Sequence, residues 1–516
     1  MAFRTFELNV SAAGEMGPPA ELADKFAEVL PFMHSLHTFR LVNSLYYGPW
    51  PALLQAIFSA PSLTTLEICD SPWRRSSETF TEKALNLPTA TLNLRKFVYR
   101  SPFTDCFPRT SPSHGRRDEI QGRVEIYNLL ALLGQFNTCL EILELPAEIA
   151  PFLIEAELPY PNLRKLRVEG HIPLLLPRWR GIFSSAPQLR GVEFKVARTQ
   201  VESRYRARLG GEQGFCLLPK IDSESRSSMS MITGPSSLPT PKSSNLAFHA
   251  DKDKGGAGDR SEVEDQNRES EKGREDLEQA TIARLRSLHL SSPCVQDNVF
   301  RHLSDSLTEL SLVVYPLPGI LGARWSDAPA SEVRTARQML DVLELLCLPN
   351  VMRFRMVYCV AGGGEDGQGE VGMGADGRLV ARISQSFPGL EELELHRYRD
   401  TGHGPGIDQA TTDPVPMIKE GLASLVNLTH IRLNLDYPQR PRYAGSRQNN
   451  CRAYRAFHDT LENGDARSIA EALNSLVSIG ILFHDDFSTH WDTWSIERGQ
   501  GGDVRLFGSP KVAVEV

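Results

Sequence analysis

Three short stretches of this 516-residue chain carry residue types at spacings that could do chemistry. The first is Gly367-Gln368-Gly369-Glu370-Val371-Gly372, whose glycines fall where a dinucleotide-binding turn has them, after the apolar run Val351–Val360. In such a turn, bare backbone N–H groups and a helix N-terminus hold a pyrophosphate. Glu365, Asp366, Glu370 and Asp376 would repel that anion, and no Gly-Lys-Ser/Thr follows to make a Walker-type loop. We read residues 361–377 as a glycine-rich loop, with an enzyme site there as the competing reading.

The second stretch places Asp251, Asp253, Gly256, Asp259 and Glu262 on a calcium-loop template. Gly255 occupies a ligand position, Gly258 stands where an aliphatic anchor belongs, and neither flank is an amphipathic helix. The third, His484-Asp485-Asp486, sits just past an apolar run, where a metal or acid–base site could form; we read it as an ordinary turn with solvated charges. No nucleophile elbow and no His-Glu-x-x-His occurs. The expectation is therefore no catalytic residues, no cofactor and no metal.

Composition narrows the classes further. The chain is 41% hydrophobic and 23% charged, with a net charge of -8. There is no basic excess to neutralise phosphates or to dock on anionic lipid, so neither nucleic acid nor membrane is an expected partner. Cys69, Cys106, Cys139, Cys216, Cys294, Cys347, Cys359 and Cys451 are scattered singly with no Cys-x-x-Cys pair, which fits a reducing compartment. Residues 1–7 lack the basic and apolar regions of a signal peptide, and no run is long and apolar enough to span a bilayer. A soluble protein of the cytoplasm or nucleus is expected.

The elements that must position any site follow from an internal repeat. One pattern, apolar-x-x-apolar-x-apolar, recurs at Leu63/Leu66/Ile68, Leu140/Leu143/Leu145, Leu163/Leu166/Val168, Leu189/Val192/Phe194, Leu285/Leu288/Leu290 and Leu307/Leu310/Leu312. It continues at Val351/Phe354/Met356, Leu390/Leu393/Leu395, Leu428/Ile431/Leu433 and Leu476/Ile479/Ile481. Weaker copies start at Phe3, Leu36 and Leu94, making thirteen. Apolar positions four and six alternate with polar three and five, the period of a strand with one buried face. Pro61, Pro161, Pro187, Pro349 and Pro388 precede copies and stop the segment before them. Helical periodicity lies between copies, over 18–33, 124–136, 331–348, 416–425 and 466–473. Each unit thus reads strand, turn, helix, return, and a right-handed crossover stacks successive strands in parallel. Neighbouring units complete one another's core.

The Leu-x-x-Leu-x-Leu units at 63–68, 140–145, 163–168 and 390–395 resemble leucine-rich repeats. The run-ins Ala60-Pro61-Ser62-Leu63, Ala186-Pro187-Gln188-Leu189 and Phe387-Pro388-Gly389-Leu390, and the ending Trp494–Arg498 with Gly502–Leu506, resemble the irregular repeats of fungal F-box proteins. The chain departs from that pattern in two ways. The turn asparagine or cysteine is replaced by Ser71, Glu148, His171, Ala197, Pro293, Tyr315, Tyr398 and Asp436, with Cys359 the lone match. No F-box precedes the first copy, which leaves the first strand edge without an evident cap.

The expected fold is α/β, an irregular leucine-rich-repeat-like solenoid with parallel strands on one face, helices on the other and a long disordered insertion. Residues 1–196 and 281–490 form the two halves of the array, 197–280 the insertion and 491–516 a C-terminal tail. The insertion holds the basic run Arg204–Arg208, a Ser/Thr/Pro-rich stretch and mixed charge, with few apolar side chains to offset chain entropy. Thr240-Pro241-Lys242 is its candidate regulatory centre. The remaining candidate surface is the outward face of the strands. Lys165, Arg167, Arg353, Arg355, Glu392, Glu394, His430 and Arg432 stand at its positions three and five as candidate partner-binding residues. That face suits a folded protein of complementary charge. The functional expectation is a non-enzymatic interaction scaffold. The resemblance implies an alternative, the substrate-recognition subunit of a cullin-type ubiquitin ligase, which engages a cullin adaptor only if an F-box lies upstream.

Overall fold

In a computed structural model the chain is described at residues 4–9, 20–42, 51–69, 93–100, 115–156, 158–171, 179–197, 217–218, 272–291, 293–315, 333–360, 374–399, 413–435, 456–484, 489–508 and 512–513. The thirteen repeat copies are thirteen strands, and they stack in chain order into one sheet. These are β1 (Thr5–Asn9), β2 (Thr38–Val42), β3 (Thr65–Cys69), β4 (Lys96–Arg100), β5 (Ile142–Pro146), β6 (Lys165–His171) and β7 (Gly191–Ala197). The second half supplies β8 (Ser287–Ser291), β9 (Glu309–Val313), β10 (Arg353–Val360), β11 (Glu392–Arg399), β12 (His430–Asn434) and β13 (Ser478–His484).

Every neighbouring pair from β1 to β13 is parallel, and the register aligns the repeat positions rung on rung. Position four forms one apolar ladder, running through Phe39, Leu66, Phe97, Leu143, Leu166 and Val192 to Leu393, Ile431 and Ile479. The first apolar residue of each unit from Leu36 to Leu476 is at most 3% exposed, so all three apolar positions enter the core. Helices cover that one face. Ala336–Leu343 shows how the sequence sets one up. Thr335 Oγ1 accepts from Gln338 N while Gln338 Oε1 accepts from Thr335 N, and Met339, Leu340, Val342 and Leu343 are buried. Such a reciprocal cap satisfies helix N–H groups that have no internal partner.

The strand entrances carry a backbone ladder. Each entrance carbonyl accepts two N–H groups of the next rung. Arg164 O accepts from Arg190 N and Gly191 N, and Met352 O from Glu391 N and Glu392 N. Side chains reinforce it where Asn162 donates to Thr138 O and Asn350 to Asp305 O. Gly389 is required at one entrance, because a Cβ there would collide with the Pro349 carbonyl.

Two boundaries differ from the sequence reading. Residues 272–282 are helical, so the disorder expected through 280 does not hold over that stretch. Glu278 is buried there and paired with Arg180, which packs the helix against the array. Leu217 and Leu218 are also buried, with their N–H groups donating to the Asp297 carboxylate. The C-terminal segment, expected to be a tail, continues the sheet. β14 (Thr489–Arg498) pairs antiparallel with β13, and β15 (Val504–Gly508) and β16 (Val512–Ala513) pair antiparallel with β14. Bringing Trp491 and Trp494 to 1% and 3% exposure, this reversal covers the last parallel rung. Thr240–Lys242, the calcium-like template and Gly367–Gly372 lie outside the described residues.

Candidate functional site

Positions three and five of each strand project from the face away from the helices, and the parallel register converts them into two ladders of polar side chains. Along position five, Arg167 aligns with Glu193, Glu193 with His289, Arg355 with Glu394, and Glu394 with Arg432. Opposite charges on adjacent rungs pair across the strands. Arg40 lies 2.9 Å from Glu7 and 3.0 Å from Glu67, and Arg100 lies 2.8 Å from Glu144.

The candidate residues fall into two groups. Lys165 and Arg167 sit on β6 and share Glu193, each at 3.8 Å, while Arg167 also donates to Glu169 at 2.6 Å. Burial raises the Glu193 carboxyl and the charges of Arg167 and Lys195 more than offset it, holding it below its ordinary value. The other six sit together four rungs away, about 19 Å at ordinary strand spacing. Arg353, Arg355, Glu392, Glu394, His430 and Arg432 line one groove of about 200 Å³ on β10, β11 and β12.

Glu394 is the centre of that groove. Its Oε1 lies 3.0 Å from Arg355 Nε and 3.0 Å from His396 Nε2, and its Oε2 lies 3.5 Å from Arg432 Nη1. Burial pushes this carboxyl up, but the His396 hydrogen bond and the charges of Arg355, His396 and Arg432 leave it below the usual range. Glu309 stands at the groove margin, 3.1 Å from Arg353 and 3.3 Å from His289. The His289 hydrogen bond, working against burial, brings its carboxyl down to about 2. In position three, Glu392 sits between Arg353 and His430 in register.

Three groups at this site escaped sequence reasoning. His396, fully buried, continues the Glu392/Glu394 alternation by one more step, a signal present in the sequence. Trp491 and Thr493 arrive from the antiparallel β14, which no repeat pattern announces. Arg432 lies over the Trp491 ring, 5.8 Å from its centroid. Gly480 leaves the room this needs, since a Cβ there would press on Arg432 Cγ at 3.2 Å. His484 ends β13 while Asp485 and Asp486 lie outside the described residues. Instead, Asp492 gathers His458 at 3.1 Å and His490 at 3.4 Å. Among the described residues no group of three or more His, Cys, Asp or Glu side chains is placed to hold a metal, and no helix is long and apolar enough to cross a membrane.

Compared with known proteins, the sequence matches no family model and no curated protein. Among solved structures, the leucine-rich repeat-containing protein LegL7 from Legionella pneumophila is similar at a TM-score of 0.33 and 10% identity, over 82% of this chain and 97% of that one. The solenoid architecture stands on the strand register described above.

Proposed function

We propose that this chain is a non-enzymatic scaffold that binds a protein partner along the strand face, with the groove on β10–β12 as the main contact. The supporting observation is the gathering of six candidate side chains in one groove, with Glu394 among them and paired to Arg355 and Arg432, on the face opposite the described helices. Such a surface is fixed in place by ion pairs between rungs and offers rigid polar groups to a partner, which lowers the ordering cost of binding. Lys165 and Arg167 extend the contact toward the N-terminal half. A photo-crosslinking amino acid at His430 should capture one protein reproducibly, and the same amino acid at Arg337 on the helix face should not. Equal capture from both faces would reject the reading.

A narrower role, substrate recognition for a cullin-type ubiquitin ligase, is supported by the run-ins at Pro61, Pro187 and Pro388, which resemble those of the repeats in fungal F-box proteins. It requires an F-box encoded upstream of Met1. Translating the genomic sequence upstream and finding no short helical module with a Leu-Pro start would remove this role while leaving the scaffold reading intact.

A further inference from the structure

The buried acceptors of the groove, Glu394 and Glu309, are engaged, while Glu392 adds one exposed carboxylate among the cations Arg353, Arg355 and Arg432. Both Glu394 oxygens are engaged, Oε1 by Arg355 and His396 and Oε2 by Arg432. Both Glu309 oxygens are engaged as well, Oε1 by His289 and Oε2 by Arg353. A guanidinium carries more N–H donors than these contacts use. Ser311, 2% exposed, lines the groove with an unpartnered Oγ, and Thr493 adds an unpartnered Oγ1.

Depth separates the charges too. Along the face Glu67, Glu144, Glu193 and Glu394 are 11–16% exposed, whereas Arg40, Arg100, Lys165 and Arg432 are 39–53% exposed. At these rungs the carboxylates lie beneath and the cations stand above them, whereas Glu7 and Glu169 are more exposed than the arginines they pair with and Glu392 is exposed; over Glu394 a partner meets Arg432 first. Steering and register at an interface follow this outer layer.

The geometry points to an acidic peptide segment as the occupant of the β10–β12 groove, its carboxylates accepting from Arg353, Arg355 and Arg432. This rests on the scaffold reading and names the partner's chemistry. A groove of about 200 Å³ has room for one or two Asp or Glu side chains, not a folded domain, so the recognised element is a loop or tail carrying a short acidic run.

Fluorescence anisotropy with the full chain tests this, using a labelled nine-residue Glu/Asp peptide and its Gln/Asn and Lys/Arg counterparts. The acidic peptide should bind at least tenfold tighter than either counterpart and weaken about tenfold between 0.05 and 0.5 M salt, as exposed charges are screened. Arg355→Gln with Arg432→Gln should lose at least tenfold in affinity. Arg353→Gln, at a more exposed position, should lose several-fold with an unchanged melting curve, and Arg337→Gln on the helix face should lose nothing. Equal binding of all three peptides, preference for the basic one, no binding of the acidic one, or indifference to Arg353→Gln each overturns the proposal. If the His430 crosslink still captures a partner in those cases, the scaffold reading survives and only the acidic occupant falls.

Discussion

Arg432 lies over the indole of Trp491, with its guanidinium carbon 5.8 Å from the ring centroid. The contact ties the twelfth rung of the parallel array to the first antiparallel strand of its C-terminal closure. Trp491 itself is 1% exposed and also meets His396 edge-on at 5.4 Å. Trp491→Ala should therefore cost about 3–5 kcal/mol of stability, the range for truncating a buried aromatic. Trp491→Phe should cost much less, because it keeps a ring under Arg432. Urea denaturation of the variants compares them directly, and near-equal midpoints would show that β14 closes the array without this contact.

A second expectation concerns Glu394. Its side chain is 11% exposed and neutralises Arg355 and Arg432 at once, with His396 beneath. Removing one partner of such a cluster leaves the others desolvated and uncompensated, which costs about 3–5 kcal/mol when burial is complete and less where guanidinia reach water, as these do. Glu394→Gln should destabilise more than Glu392→Gln on the exposed neighbouring position. Adding Arg432→Gln to Glu394→Gln should recover some of the loss. Thermal melts of the wild type, Glu394→Gln, Arg432→Gln and the double variant give the coupling, and strictly additive shifts would disprove it.

A third expectation is a pH dependence. Burial raises the Asp297 carboxyl from 3.8 to about 6, partly offset by N–H donors from Leu217, Val299 and Leu218. A carboxyl with a raised folded-state value binds its proton more tightly in the folded protein than in the unfolded chain. Its contribution to stability is therefore complete below pH ~4 and is lost as pH rises through about 6. A difference of about 2 units corresponds to roughly 3 kcal/mol across that window. Asp297→Ala should remove this dependence and leave buried N–H groups without an acceptor. Hydrogen exchange should then accelerate at Leu217, Leu218 and Val299, while amides of β8 and β9 stay protected. Unchanged exchange at those three residues would sink the idea that Asp297 pins this stretch of the insertion.

How far the sequence reveals the molecule depends on how local the signal is. The Leu-x-x-Leu-x-Leu units carry both halves of the information a parallel strand needs, a buried face and a fixed entry. Even the weak copies at Phe3, Leu36 and Leu94 lead to strands in register. Because register is shared, the outward positions follow at once, and the six groove residues are legible from the repeat alone. Their partners are less so. That Arg355 and Arg432 meet the same carboxylate depends on rung order in space, and that Trp491 lies beneath depends on the chain reversing direction after β13. Trp491 and Thr493 do alternate with Asp492 and Trp494, a strand signal, but nothing in it specifies antiparallel pairing. Leu217 and Leu218 give no periodic signal at all. The apolar run Phe215–Leu218 in a polar stretch is too short to announce a buried anchor, and Asp297 binds backbone N–H groups, which every residue type but proline has.

The last expectation tests the packing that keeps the rungs in line. Gly421 lies in helix Pro414–Leu422, where a Cβ would meet Val380 Cγ1 at 2.8 Å and Ala381 N at 3.1 Å. The helix therefore packs closely on its neighbour Ala375–Ser386, behind the hydrogen-bonded pair β11 and β12. Gly421→Ala gains about 1 kcal/mol of intrinsic helix preference. It must also push the packed helices apart, and overpacking of this kind costs about 1–3 kcal/mol. The clash with the Ala381 backbone cannot be relieved by a side-chain rotation, so the variant should be net destabilised, with Gly421→Val worse. Val380→Ala, introduced together with Gly421→Ala, should restore some of the loss by removing the closer contact. If Gly421→Ala alone raises the melting temperature, the helices have slack, and the spacing of the Arg355–Glu394–Arg432 cluster is set by the strands alone.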